Sequence, residues 1–236
     1  MEKDIYTLQL EKFDQSCKQL GQWLVQWSDR IKAKAIQNDR NRAAWLVWGR
    51  YSLAICTFHQ ICKPNYFPDL LLIGRSCLEY EATLKGIMDD PSVAEKYLAF
   101  LYQAKAYYAC LLERQGQKEK AAQLEPSLKE KLGDDWRKKK ATAWTQTSEL
   151  VEKYGGEANR YCYALWSHFT HCSVVASEFL ENTPPSPYIL VKAVNAIYSG
   201  YVLVTHDFLE FVWGPIVTSE SEQCKNKYIE IMKKGV

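Results

Sequence analysis

Apolar side chains return at alternating steps of four and three near the start of the chain, at Phe13, Cys17, Leu20, Leu24, Trp27 and Ile31. That spacing holds them on one stripe of an α-helix, so residues 4 to about 37 are expected to form a long helix packed along a bundle or against a partner chain. A second helical pattern over 41–62 carries Trp45, Leu46, Trp48, Tyr51, Ile55 and Phe58. Lys63-Pro64-Asn65 ends it, because proline cannot continue the hydrogen-bond ladder. Pro68 suits the first turn of a third helix over 67–88, and Asp90-Pro91 gives a cap and a first-turn proline to a fourth that runs to about Arg114.

Residues 115–145 are polar, with Gln115-Gly116-Gln117-Lys118, Glu125-Pro126 and Gly133-Asp134-Asp135, and predict only a short helix and loops. Ser148 to Tyr154 reads as one or two turns stopped by Gly155-Gly156. A helix over 157–181 follows, then the rigid break Thr183-Pro184-Pro185-Ser186-Pro187. A long helix over 187–213 is closed by Gly214-Pro215, and an amphipathic tail covers about 219–234. No alternation of period two survives between turn signals, so no sheet is expected. The expectation is all-α: a single helical domain over 1–236, with a long N-terminal helix over 1–40, a core over 45–182 and C-terminal helices over 187–236.

Hydrophobic residues make up 47% of the 236, which supplies a substantial core and argues against disorder. A formal charge of +2 leaves no global footprint for nucleic acid, so any such binding must use a local patch. Arg137-Lys138-Lys139-Lys140 is the one basic run, and its plain reading is a solvated segment between helices. The eight cysteines sit mostly at apolar helical positions without a C-x-x-C pair, and Met1-Glu2-Lys3-Asp4 is unlike a signal peptide. They read as small buried thiols of a cytoplasmic protein. No apolar run approaches the ~18 residues of a membrane span.

Against this apolar background two polar signatures stand out: Arg75-Ser76-Cys77-Leu78-Glu79, and Ser167-His168-Phe169-Thr170-His171-Cys172-Ser173. Ionisable groups on a core-forming helix cost several kcal/mol unless partnered. On a helical wheel Arg75 and Glu79 share the apolar face with Leu71, Leu78 and Ala82, whereas Glu81 and Lys85 share a sector with Gly74 that reads as the wet face. On the helix over 157–181, Arg160, Ala164, Ser167 and His171 form one stripe with His168 at its edge, and the apolar remainder marks that helix as central. A histidine there is either a satisfied core imidazole or an acid/base. No Glu-x-x-His pair occurs, so no metal or other cofactor is expected. His59 reads as a helix C-terminal cation, and His206-Asp207 as an exposed pair.

The R-S-x-x-E signature followed by S-x-x-x-H-x-S resembles a bacterial all-helical family of unknown function often met near mobile or defence genes. The likeness covers roughly 45–182 and rests on Arg75, Ser76, Glu79, Ser167 and His171, with a basic Trp-containing segment like Trp136 to Trp144 between the signatures and an aromatic position like Tyr161 or Tyr163 before the serine. Cys172 departs from the proline usual in that family after the histidine. More distantly the chain is similar to HEPN-type bundles, many of which are defence ribonucleases with R-x(4-6)-H on one helix. Arg160 misses that spacing to both His168 and His171, so the likeness implies at most a composite site with Arg75 on one helix and His171 on another.

Two functions follow as expectations. The first is a defence- or toxin-type effector acting on RNA or a nucleotide by metal-independent acid/base chemistry. There His171 is the general base or acid, Arg75 the phosphate clamp, Glu79 an orienting group, and Ser167 a contact to the substrate or the imidazole; Arg160, His168, Arg137 and Lys138 contact substrate. The second is a non-catalytic interaction or regulatory module whose Arg75-Glu79-His171 network is structural. In that reading the N-terminal helix mediates homo-oligomer or partner assembly.

Overall fold

The computed structural model describes residues 5–62, 67–138, 147–170, 187–214 and 219–235. Within them the chain forms α1 (Ile5–Ala35), α2 (Asp39–Gln60), α3 (Phe67–Asp89), α4 (Pro91–Arg114), α5 (Lys118–Leu132), a 3-10 turn (Asp134–Lys138), α6 (Thr147–Tyr154), α7 (Glu157–Thr170), α8 (Pro187–Trp213) and α9 (Ser219–Gly235). Among the described residues there is no strand.

The starts of these helices follow local chemistry. Asp90 accepts from the Ser92 N–H at 2.9 Å, and Pro91 takes the first turn of α4, where its missing N–H costs nothing. Asn38 caps α2 in the same way, accepting from the Asn41 N–H at 2.8 Å, so α2 begins two residues before the apolar pattern indicated. The polar middle departs from expectation. It holds the 15-residue α5 with Pro126 inside it, where only a short helix was foreseen. Tertiary packing overrides the poor local propensity: Leu128 is buried in a small apolar cluster with Ala106 and Ala109 of α4 and with Trp136 of the 3-10 turn.

On α1 the expected seam is buried at Phe13, Cys17, Leu20, Trp27 and Ile31. Leu24 lies only partly inside, and Trp23 takes the fully inward position, its indole N–H donating to the Cys224 carbonyl of α9 at 3.3 Å. Three buried side-chain bonds cross from α2. Trp48 donates to the Thr205 hydroxyl at 3.1 Å, and the Ser52 and Tyr201 hydroxyls meet at 2.9 Å. The third runs from Tyr51 to α3 and is taken up below.

The central helix is α3, which packs against α2, α4, α6, α7 and α8. The described part of the later helix, α7, is less central than expected, keeping Glu157, Arg160, Tyr161 and Ala164 exposed, with Tyr161 at 70%; residues 171–181 of the expected helix lie outside the described residues. Direct contact of the two signature helices holds as expected. Gly74 makes the contact close, since a Cβ there would sit 2.8 Å from the Trp166 ring and 3.2 Å from Phe58. Gly74→Ala should therefore push α7 off α3 and lower stability by ~1–3 kcal/mol, the cost of overpacking. Chemical denaturation measures this, and an unchanged midpoint would show that the Trp166 ring simply yields.

His59 is held by a partner rather than by the helix end alone: its Nε2 lies 2.9 Å from Asp14 Oδ1 of α1. Hydrogen bonds from Lys18, then from His59, hold the Asp14 carboxyl below its usual range. A depressed folded-state pKa stabilises above the unfolded value and is lost as pH falls through the folded one, here below about pH 4. Asp14 is about half exposed, so the effect is small. In urea titrations Asp14→Asn should flatten stability against pH only on the acid side of that point.

Candidate functional site

The R-S-x-x-E segment occupies the middle of α3, and helical geometry alone makes Arg75 and Glu79 neighbours. Arg75 Nε lies 3.1 Å from Glu79 Oε1. From α7, Tyr163 completes the arrangement: its hydroxyl accepts from the Arg75 guanidinium at 3.4 Å, and the guanidinium carbon lies 5.1 Å from the centre of its ring. One turn on, the Ser167 hydroxyl donates to the Tyr163 carbonyl at 2.6 Å. The Ser76 hydroxyl likewise donates back to the Leu72 carbonyl of its own helix at 3.3 Å. The pair is not sealed in the core, because Arg75 and Glu79 retain 20% and 29% of their side-chain exposure. Part of each side chain therefore reaches solvent.

The deeply buried charge lies elsewhere on α3. Glu81, which the sequence places on a wet face with Lys85, is 2% exposed. Three donors converge on its carboxyl: Lys85 Nζ at 2.6 Å, Asn159 Nδ2 of α7 at 3.1 Å, and the Tyr51 hydroxyl of α2 at 3.4 Å. The backbone of α8 closes the fourth side, since a Cβ on Gly200 would run into the Glu81 carboxyl oxygen. Burial, and secondarily the Glu81 charge, raises the Tyr51 hydroxyl pKa well above the usual phenol range, so Tyr51 stays a donor. The misreading has a physical origin. Gly74, which leaves that sector without a side chain in the sequence, is packed against by Phe58 and Trp166. The mid-helix glycine at 200 was the available signal, because such a residue in an apolar helix marks close backbone approach.

The remaining site candidates are dispersed. Arg160 donates to the Gly155 carbonyl at 2.9 Å and lies 3.6 Å from Glu152, which ties it to the α6–α7 turn. Arg137 bonds Glu113 at 3.0 Å and Glu125 at 3.3 Å and stacks on Trp136, while Lys138 pairs with Asp135 at 2.9 Å. The 3-10 turn that carries both packs on α4 and α5. His171 lies outside the described residues, as does the side chain of His168. Among the described residues no group of three or more His, Cys, Asp or Glu side chains is placed to hold a metal ion.

A family model described as a family of unknown function, DUF5677, matches residues 47–186, more than half of the chain. The chain belongs to this family. The DUF5677 segment contains α3 and α7 complete, so the Arg75–Glu79–Tyr163 arrangement and three of the four groups around Glu81 lie inside it. Helices α1, α8 and α9 lie outside, and they bring Gly200 to Glu81 and the Trp23 bond to α9. No curated protein and no solved structure matches the chain.

Among the described residues no helix is long and apolar enough to cross a membrane. The seven described cysteines are free, with Cys17, Cys77 and Cys224 buried.

Proposed function

We propose that this DUF5677 protein is an effector that cleaves RNA or a nucleotide by acid/base chemistry at the seam between α3 and α7. The observation that supports it is Arg75, paired with Glu79 and set over the Tyr163 ring with 20% of its side chain exposed, on the same helix as a fully buried carboxyl at Glu81 that already serves the packing. An Arg–Glu pair needed only for packing gains nothing from reaching solvent. A phosphate clamp requires it.

In the proposed reaction the His171 imidazole takes the proton of the ribose 2′-hydroxyl, whose oxygen attacks the adjacent phosphorus. The bond to the 5′-oxygen breaks, and that oxygen takes the proton back from the imidazolium, which leaves a cyclic phosphate, a 5′-hydroxyl and a neutral His171. Arg75 holds the non-bridging oxygens as they gain charge, and Glu79 keeps the guanidinium fork directed. The chemistry parallels that of HEPN-type ribonucleases. The free thiols accord with a reducing, cytoplasmic setting.

The test is a 5′-labelled RNA, with nucleotides assayed in parallel, incubated with the purified protein in the presence of a chelator. Products ending in a cyclic phosphate, abolished by His171→Ala, are the expected result. A protein inert on all of these substrates would remove the enzyme reading.

A second reading, an interaction module that assembles through α1, draws on one observation. Val25, a large apolar side chain on α1, is 82% exposed. Light scattering separates the two readings: a dimer dispersed by Val25→Glu, in a protein without nuclease activity, would favour the module.

A further inference from the structure

Away from the α3–α7 seam, α1, the end of α2 and α8 enclose a cavity of about 430 Å³. That volume falls within the ~300–1,000 Å³ typical of small-molecule sites. Its floor is apolar and buried, formed by Phe13, Ile55, Val194 and Ile197. Cys17, Cys56 and Cys62 also line it. Burial pushes the Cys17 thiol up to about 12 and the Cys62 thiol up to about 11, so both stay protonated near neutrality and act as soft apolar wall.

One end of the cavity is charged, and its hydrogen-bonding capacity is lopsided. Asp14 supplies the carboxyl there, with Oδ2 bonded by Lys18 and Oδ1 by His59 across to α2. Each oxygen already accepts one bond. Lys18 spends one N–H on Asp14 and keeps 73% of its side-chain exposure, so the ammonium has donors left over. A ligand that matches this end brings an acceptor, and a charged acceptor makes the stronger bond. An ammonium head group brings no acceptor for those donors and carries the same charge as Lys18.

We propose that the cavity binds a small amphipathic monocarboxylate, with its hydrocarbon body between α1, α2 and α8 and its carboxylate on Lys18 beside the Asp14–His59 pair. Nothing in this assignment depends on the RNA reading. Isothermal titration of the full chain with octanoate, octanol and octylammonium keeps the tail constant and varies only the head. Octanoate should saturate one site and bind about tenfold more tightly than octanol, with octylammonium weakest. Lys18→Ala should bring octanoate to the level of octanol.

Gly21 also borders the cavity, and a Cβ there meets nothing within 4 Å. Gly21→Leu can therefore occupy the space while improving the helix propensity of α1. It should melt no lower than the wild type and lose octanoate binding. Failure of octanoate to saturate, equal affinity for the three head groups, or undiminished binding by a folded Gly21→Leu variant would each overturn the proposal.

Discussion

Glu81→Ala is expected to destabilise the protein by ~2–4 kcal/mol, against little more than ~1 kcal/mol for Glu79→Ala. Removing one member of a buried ion pair typically costs ~3–5 kcal/mol because the other charge is stranded. Here the stranded charge is Lys85, which is 30% exposed and regains part of its hydration, so the cost falls toward the lower end. Tyr51 and Asn159 also lose their acceptor, and the truncated side chain leaves a void between four helices. Arg75 and Glu79, by contrast, are partly solvated, and water takes the place of either partner. A small domain has roughly 5–15 kcal/mol to lose, so Glu81→Ala should move the denaturation midpoint visibly. Similar costs for the two substitutions would mean that solvent exposure does not distinguish the two carboxyl groups.

The second large effect concerns activity. If the seam carries out the proposed cleavage, His171→Ala should reduce the rate by ~100-fold or more, which is the contribution of a general acid or base. Arg75→Ala should cost a similar factor through loss of charge stabilisation on the phosphate, and Arg75→Lys should recover little because an ammonium cannot make the two-pronged contact. The two Arg75 variants should melt close to the wild type, because water replaces the lost partner of Glu79. Single-turnover rates on labelled RNA, measured beside thermal melts, separate the chemistry from the scaffold. Loss of activity only in variants that are also strongly destabilised would return the Arg75–Glu79 pair to a structural role.

The helices were largely legible in the chain because their starts and stops are local events. Asp90-Pro91 starts α4 as its chemistry requires, and Gly214 ends α8 with a φ of 71° that glycine tolerates. Arg75 and Glu79 meet for the same local reason, being one turn apart on a helix. Arg137 shows where that legibility stops. The basic run reads as a solvated segment, with Arg137 a substrate contact in the enzyme reading, yet Arg137 is drawn onto Glu113 and Glu125, 24 and 12 residues away in the chain.

The sequence by itself thus determined the all-helical architecture, the long first helix and the Arg75–Glu79 pair, since each depends on spacing within a single helix. Only the tertiary structure decided which polar face of α3 is buried. Neighbouring helices settle that by how closely they approach: Gly200 lets the α8 backbone close over Glu81, and Asn159 and Tyr51 arrive from α7 and α2 to bond it. Hydrophobic periodicity carries no information about partners supplied from far along the chain. A carboxyl that finds three donors can therefore sit at the centre of the bundle, while an arginine on the face that reads as apolar stays within reach of water.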